Sequence, residues 1–315
     1  MFARFPPALV LTLAIIAGAS MDATIKHLAQ TNHVLLVAFG RYLFGGLFSA
    51  LLWWRAGRPT INAEMWRAHG VRGFVIATCA VAFFWSLSVL PLAEAVTLSF
   101  IYPLLAPFVA AVILKERIRP QSVLCALVGF AGVIVAMQGA PSEQESPQHD
   151  VGVIAALFAA TFFSIAMVLL RERSLKDGAV IVSLMTSVVP GAILLLPAIY
   201  RLTNGNALVN LAFGIHLPVL AAQVTPADLS FFLLLGVLAA TFMYLMAQAY
   251  ARAEAQQLAP IHYTELLYAS IIGFVIFHET PRVEIYMGAA LIVAACLWAA
   301  YDERRLALKP KETAS

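Results

Sequence analysis

Long apolar stretches alternate with short polar connections along the whole chain. Ten stretches can be marked, near residues 8–28, 34–54, 71–90, 93–114, 121–138, 151–171, 180–200, 229–249, 257–277 and 284–301. A membrane-spanning helix needs about 20 apolar residues, because each residue rises about 1.5 Å through a hydrocarbon layer about 30 Å thick. The runs are continuous and lack period-two alternation, which favours helices over a transmembrane barrel. The pattern therefore predicts an all-α polytopic membrane protein with ten transmembrane helices.

The composition indicates lipid as the surroundings of these helices. Of the 315 residues, 62% are hydrophobic and 12% are charged, whereas soluble domains carry about 25% charged residues. A soluble globule of this length could not hide so much apolar surface in one core. The net charge of +3 is small, so we expect a lipid bilayer and a small molecule as partners, and no nucleic acid.

The basic residues lie almost entirely on one side of the predicted spans. If the N-terminus is cytoplasmic, the outer loops hold only Arg201 and Arg282, and the inner segments hold 16 basic residues: Arg4, Arg55, Arg58, Arg67, Arg72, Lys115, Arg117, Arg119, Arg171, Arg173, Lys176, Arg252, Arg304, Arg305, Lys309 and Lys311. The positive-inside rule then predicts that both termini are cytoplasmic. A cleaved signal peptide ending near residues 17–20 is the alternative for the start, but it would leave nine spans and destroy the repeat described next.

Two stretches of the chain resemble each other at a spacing of 163 residues. LSFIYPLLAPFVAAVILKE (98–116) ends on Glu116, and IHYTELLYASIIGFVIFHE (261–279) ends on Glu279. Five predicted spans precede the acidic loop 141–150 and five follow it, so the second set enters the membrane from the opposite face. We therefore expect two inverted five-helix repeats, 1–140 and 151–301, joined by an external linker at 141–150 and followed by a cytoplasmic tail at 302–315. Similarity by composition alone is the alternative.

The segment 201–228 is longer than the other connections. Its stretch NALVNLAFGIHLPVLAAQ is apolar enough for an eleventh span. Asn210, His216 and Pro218 argue against a span, and a crossing here would invert every later helix and remove the charge bias. We expect an external insertion that is interfacial or re-entrant.

Several of these stretches resemble a known family of transporters. FFWSLSVLPLAEAVTLSFIYPLLAPFVAAVILKERI (83–118) and AYARAEAQQLAPIHYTELLYASIIGFVIFHETPRVEIYMGAALIV (249–293) resemble the helix 3–4 and helix 8–10 signatures of the EamA-type drug/metabolite transporter superfamily, and Arg41 in VAFGRYLFGG resembles its early helix 2 arginine. The resemblance implies a central cavity surrounded by the first four helices of each repeat, with the fifth helices at the periphery. It also implies transport of metabolites such as amino acids, S-adenosylmethionine, riboflavin, nucleobases or opines.

Three charged residues fall inside the first two predicted spans. A charge at a helix centre costs about 2.5–3.5 kcal/mol on insertion scales, so Asp22, Lys26 and Arg41 should face one another, water or substrate. Lys26 lies one helical turn after Asp22 on the same face, and Arg41 reaches a similar depth. All three are predicted to meet in one cluster. This cluster is either an ion-pair staple between helices 1 and 2 or a substrate site in which Arg41 or Lys26 binds a carboxylate or phosphate.

Glu265 is a carboxyl group without a basic neighbour on its own helix. His262 lies one turn earlier on the same face, and Tyr263 is nearby. Removing a carboxylate from water favours its neutral form, which suits a group that exchanges protons. The functional hypothesis is that Glu265 binds a substrate amine or carries the coupling proton, with His262 and Tyr263 beside it in the site. The alternative is a protonated Glu265 that donates a hydrogen bond to a neighbouring helix.

Aromatic residues and helix ends complete the set of candidates. Trp85 and Tyr102 could line the cavity and stack on a flat or cationic ligand, although aromatics inside membrane helices more often pack against other helices. Glu116 and Glu279 lie at loop boundaries and are predicted to be helix-end or gate residues rather than substrate ligands.

These features predict a secondary active transporter in a bacterial-type inner membrane. The substrate is expected to be a small polar or zwitterionic metabolite, moved by proton coupling or exchange, with export favoured over uptake. Uptake of a vitamin or nucleoside-like compound such as riboflavin, or a passive channel, is the alternative. The chain lacks the GxxxxGK[ST], HExxH and GxSxG patterns, so we expect no ATP drive, no enzyme activity, no cofactor and no metal. A monomer or homodimer is expected.

Overall fold

A computed structural model describes residues 6–113, 115, 118, 120–137, 148–204, 225–250, 261 and 264–307. The regular structure in these ranges is helical. One helical segment, His149–Asn204, is broken at Gly178, and its two parts are called α6 and α7. The other helices are α1 (Pro7–Thr31), α2 (Val34–Arg55), α3 (Ala63–Val89), α4 (Leu92–Ile113), α5 (Pro120–Met137), α8 (Pro226–Tyr250), α9 (Thr264–Phe277) and α10 (Val283–Ala307).

The helices have the lengths and composition of membrane spans. Among the described residues, seven helices are long and apolar enough to cross a bilayer, and three shorter apolar helices are Val123–Ala136, Thr264–Phe277 and Val283–Trp298. Each predicted span overlaps one of α1–α10. The prediction of a polytopic helical membrane protein is confirmed. The predicted insertion 201–228 and linker 141–150 fall mostly on 205–224 and 138–147, outside the described residues.

The start of α3 differs from the predicted span. The helix begins at Ala63, where the Asn62 side chain caps it by accepting a hydrogen bond from the Met65 N–H at 2.8 Å. The hydropathy pattern placed this start near residue 71, because Arg67, His69 and Arg72 interrupt the apolar run. Arg72, which was counted among the inner basic residues, lies on α3 with its side chain buried inside the bundle.

Two breaks in helical geometry have local causes. In α4, the regular helix stops at Ser99 and resumes at Tyr102. Pro103 has no N–H to donate to the preceding turn, and its ring disfavours helical geometry in the residue before it. At Gly178, between α6 and α7, φ is 76° and ψ is 155°, a conformation that only glycine adopts without strain.

Helices from the two halves of the chain pack against each other. α1 and α2 pack on α8, α2 and α3 pack on the α6–α7 segment, and α1 also contacts α9. The main hydrophobic core contains residues from α1 to α10, so it is shared by both halves. The polar residues of α1, α2 and α9 are thereby held near the middle of the bundle.

α5 and α10 form a closely packed pair. A Cβ atom added to Gly132 would lie 2.8 Å from the Gly288 carbonyl oxygen, and one added to Gly288 would lie 2.5 Å from the Gly132 carbonyl oxygen. Glycine at both positions lets the two backbones approach, as small residues do in membrane helix pairs.

The two stretches of the predicted repeat share an unusual backbone conformation. Lys115 has φ of 57° and His278 has φ of 56°, and both are non-glycine residues. These residues precede Glu116 and Glu279 and are 163 positions apart, as the repeat requires. Glu116 itself lies outside the described residues.

Candidate functional site: buried charges between the helices

Asp22 of α1 lies within electrostatic range of two other predicted site residues, Arg41 of α2 and Glu265 of α9. Asp22 on α1 is 6% exposed. It interacts electrostatically with Arg41 of α2, which attracts it, and with Glu265 at the start of α9, which repels it. The site thus draws α1 and α2 from the first half of the chain and α9 from the second half.

The guanidinium group of Arg41 has a donor without a hydrogen-bond partner among the described residues. Its Nε atom is buried and has no hydrogen-bond partner among the described residues. Its Cζ atom lies 4.4 Å from the ring centroid of Tyr42, so the ring covers one side of the cation. A planar guanidinium with free donors is suited to a carboxylate or phosphate.

The two carboxyl groups of the site, Asp22 and Glu265, are suited to bind a cation or a proton. Asp22 and Glu265 repel each other when both are ionised, and this repulsion falls when one of them is protonated or when a cation lies between them. The arrangement can therefore bind an anionic group at Arg41 and a cationic group or a proton at the carboxyl pair.

Lys26 does not join this cluster. Its Nζ atom lies 2.8 Å from Glu279 Oε1 and donates to the carbonyl oxygens of Leu87, at 3.2 Å, and Leu90. The expectation that Asp22, Lys26 and Arg41 meet in one cluster is therefore wrong for Lys26. Lysine has a long side chain, and it extends away from Asp22 toward the corner between α3 and α4.

Glu279 has the helix-end position that the sequence predicts. Its Oε2 atom accepts a hydrogen bond from the Leu92 N–H at 2.8 Å, at the first turn of α4. Its own N–H donates to the Gly273 carbonyl at 3.0 Å, which closes the end of α9.

The predicted aromatic residues lie in packed surroundings. Trp85 and Tyr102 are half-buried and contact the main hydrophobic core. The Tyr102 ring meets Phe163 of α6 edge to face, with centroids 4.7 Å apart. Their role as cavity lining stays a prediction. His262 and Tyr263 lie outside the described residues.

The structure adds a buried carboxylate that the sequence analysis missed. Glu94, at the start of α4, is 1% exposed. Its Oε1 atom lies 3.0 Å from His149 Nε2 of α6 and 3.9 Å from Arg282 Nη2. Glu94 falls at the start of the predicted span 93–114 and was not singled out there, although an acid followed by a largely apolar run was the available signal.

A second missed cluster lies at the opposite end of the bundle. His69 Nε2 of α3 is 3.0 Å from Asp177 Oδ2, next to the break at Gly178. One turn further along α3, Arg72 Nη1 donates to Thr186 Oγ1 at 2.9 Å. These contacts join α3 to the α6–α7 segment. The sequence offered little signal for them, because Arg72 lies at the edge of one predicted span and Asp177 lies between two others.

One groove of about 550 Å³ lies between α4, α9 and α10. Its lining is mostly apolar and includes Leu267, Phe274 and Tyr286, all of which are exposed. None of the described predicted site residues lines it, so it is not the predicted central cavity. Its exposed apolar side chains are suited to contact lipid.

The cysteines and possible metal ligands show no cluster in the described part of the chain. Cys79, Cys125 and Cys296 are buried thiols on separate helices. No group of three or more His, Cys, Asp or Glu residues in the described ranges is placed to hold a metal ion.

Comparison with known proteins finds a match to one family of transporters and to individual transporters. The EamA-like transporter family matches the chain over residues 6–138 and again over 150–301. An S-adenosylmethionine uptake transporter of Rickettsia bellii is 25% identical over 296 residues, 93% of this chain and 92% of the relative. A riboflavin transporter of Rhizobium johnstonii is 27% identical over 274 residues, 87% of this chain and 83% of the relative.

A solved structure supports the fold. A crystal structure at 19% sequence identity superimposes with a TM-score of 0.59, over 95% of this chain and 97% of the other. At that identity the likeness concerns the fold alone.

Proposed function

This chain belongs to the EamA-like transporter family, and on that premise we propose that it is a secondary active transporter of a zwitterionic amino-acid derivative. S-adenosylmethionine is the first candidate substrate. The observation that carries the proposal is the set of Asp22, Arg41 and Glu265, in which Asp22 is buried and interacts electrostatically with the half-buried Arg41 and Glu265 of two neighbouring helices. Membrane proteins keep such groups inside the bilayer where substrates or ions bind.

The charges of S-adenosylmethionine match those of the site. Its α-carboxylate would bind Arg41, whose Nε has no partner among the described residues. Its ammonium and sulfonium groups would lie near Asp22 and Glu265. Riboflavin, the substrate named for other relatives, carries no fixed charge and would leave these groups unpaired, which is unfavourable for a buried site. Trp85, Tyr102, His262 and Tyr263 remain predicted lining residues.

The transport cycle is proposed to rest on two inverted five-helix repeats with both termini in the cytoplasm of the inner membrane. The support is the double match of the family over 6–138 and 150–301, the shared backbone conformation at Lys115 and His278, and the bias of basic residues. Inverted repeats can exchange conformations and so expose one site to either side. Labelling of single cysteines in 141–150 from outside only, and in 302–312 from inside only, tests this topology.

Transport of S-adenosylmethionine into proteoliposomes is the direct test. We expect saturable uptake of the labelled compound, weak competition by S-adenosylhomocysteine, which lacks the sulfonium charge, and none by riboflavin. Arg41→Gln and Asp22→Asn should each lower uptake at least tenfold. Glu64→Gln is the matched control, because Glu64 pairs with Arg173 at the exposed surface, 2.8 Å apart. Uptake of riboflavin with no effect of the Arg41 and Asp22 variants would refute the proposed substrate class.

Glu265 is proposed to couple transport to the proton gradient. A bound cationic group and a proton would compete for the carboxyl pair, which links substrate binding to deprotonation. Glu265→Gln keeps the shape of the protonated acid but cannot titrate, so it should abolish accumulation driven by a pH gradient and leave exchange. Wild-type accumulation by this variant would show that Glu265 is structural. Equilibration without any accumulation in the wild-type protein would indicate a channel.

The direction of transport is proposed to be uptake, as the name of the Rickettsia relatives states for those proteins. The expectation from the sequence favoured export. Right-side-out and inverted vesicles, each supplied with labelled S-adenosylmethionine on the outside and given opposite pH gradients, separate the two directions. Net accumulation only in inverted vesicles would support export.

A further inference from the structure

The ion pair between Lys26 and Glu279 joins the two halves of the chain at one end of the bundle. Lys26 lies on α1, and Glu279 lies in the connection between α9 and α10. Their side chains are 5% and 19% exposed, and the charged atoms are 2.8 Å apart. Both charges are therefore largely withdrawn from solvent and depend on each other for stabilisation.

The pair is also bound to two helix ends. Lys26 donates to the carbonyl oxygens of Leu87 and Leu90 at the end of α3, where the helix dipole is negative. Glu279 accepts from the Leu92 N–H at the start of α4, where the dipole is positive. The polarity of the ion pair is therefore matched to the corner between α3 and α4, and an exchange of the two charges would place each against the wrong helix end.

A second set of polar contacts lies at the same end. Glu94 of α4 contacts His149 of α6 at 3.0 Å and Arg282, three residues after Glu279, at 3.9 Å. This contact set also connects the two halves of the chain. The end of the bundle that carries Glu279, called the Glu279 end below, is thus held by charged contacts between the halves.

We propose that the Lys26–Glu279 ion pair is a gate that closes the Glu279 end of the substrate pathway. This proposal rests on the proposed transport function and adds to it the contact that must break when the site opens on this side. Lys26 lies one helical turn after Asp22 on the same face of α1. A movement of α1 that separates Lys26 from Glu279 therefore also moves Asp22, so the state of the gate and the state of the substrate site are connected through one helix.

Breaking the pair requires water to enter. The separated ammonium and carboxylate groups would be unfavourable in a closed, dry interface. Solvation of both groups stabilises them only when the Glu279 end is open. The gate therefore has two states, closed with the ion pair formed and open with both groups hydrated, and intermediate states are disfavoured.

The proposal is tested by the accessibility of a cysteine placed on the far side of the ion pair from the Glu279 end. Ala19 is 1% exposed and lies one turn before Asp22 on the same face of α1, further from the Glu279 end. In full-length protein with Cys79, Cys125 and Cys296 replaced by alanine, Ala19→Cys is reconstituted and exposed to a membrane-impermeant thiol reagent from each face. We expect slow labelling from the Glu279 end when the ion pair is intact.

Three variants and one control decide the outcome. Glu279→Gln retains an acceptor for the Leu92 N–H but loses the attraction to Lys26, and should label at least tenfold faster from the Glu279 end only. Lys26→Met should do the same. The double exchange Lys26→Glu with Glu279→Lys should also label fast. Its new glutamate would face the negative end of α3, and its new lysine would face the positive start of α4. Glu64→Gln, in a surface pair with Arg173, should label at the unmodified rate.

The opposite results overturn the proposal. An unchanged labelling rate in Glu279→Gln and Lys26→Met would show that the pair does not close the pathway. Equal acceleration from both faces would also count against a gate, because a gate exposes the site to one side. Restoration of slow labelling by the double exchange would refute the role of the helix ends. The assay needs no transported substrate, so failure of S-adenosylmethionine transport would affect the proposed function and leave this result standing.

Discussion

Introducing a side chain at the crossing of α5 and α10 should separate these helices. A Cβ atom on Gly288 would lie 2.5 Å from the Gly132 carbonyl oxygen, 2.6 Å from the Ala136 Cβ atom and 2.9 Å from the Ala136 backbone nitrogen. All three are shorter than carbon contacts in real structures, and two of the obstructing atoms belong to the backbone. Gly288→Val adds two further methyl groups, so the side chain has no rotamer that avoids moving the facing helix.

The magnitude follows from overpacking. Inserting carbon atoms into a filled interface costs about 1–3 kcal/mol, and the better helix propensity of valine returns about 0.4 kcal/mol. We expect a net loss of about 1.6 kcal/mol, which is about a fifteenfold change in the ratio of folded to unfolded protein. Gly70→Val is the matched control, because nothing lies within 4 Å of a Cβ atom at Gly70 of α3.

Reversible unfolding of the purified protein in mixed micelles measures this difference. The midpoint for Gly288→Val should shift toward lower denaturant, and that for Gly70→Val should not. Gly132→Val should destabilise similarly, and the two valines together should lose less than the sum, because the first already separates the helices. Equal midpoints for the Gly288 and Gly70 variants, or full additivity at Gly132 and Gly288, would refute the close crossing.

Other contacts lead to further expectations. Gly178→Ala forces a φ of 76° and ψ of 155° on an L-residue and should lower the free energy of unfolding by about 1–3 kcal/mol, seen as a lower thermal midpoint. Ser49 and Ser183, whose hydroxyls are 3.2 Å apart and buried, should show a coupling of about 0.5–1.5 kcal/mol in a double-mutant cycle with alanine. Tyr102 and Phe163, with ring centroids 4.7 Å apart, should show about 0.5–1.5 kcal/mol in the same kind of cycle with leucine. A cycle with no coupling would contradict the corresponding contact.

The amino-acid sequence alone determined the membrane class, the approximate positions of the helices and the spacing of 163 residues between the two similar stretches. Each of these depends on a property of consecutive residues, namely the length of an apolar run or the recurrence of a motif. The cost of placing a charge in lipid also drew attention to Asp22, Lys26, Arg41 and Glu265 without a structure, and Asp22 lies within electrostatic range of Arg41 and Glu265. Pro103 lies beside the interruption of the regular helix in α4, and its missing N–H is a property of the residue itself.

The partners of the charged residues were decided only by the tertiary structure. Lys26 was expected to join Asp22 and Arg41, but it pairs with Glu279, and Glu94 was overlooked although it contacts His149 and Arg282. Lipid tails are as apolar as leucine side chains, so the apolar pattern that defines a membrane helix does not specify its neighbours or its rotation. Close packing at small residues and complementary polar groups specify them, and these contacts join residues far apart in the chain.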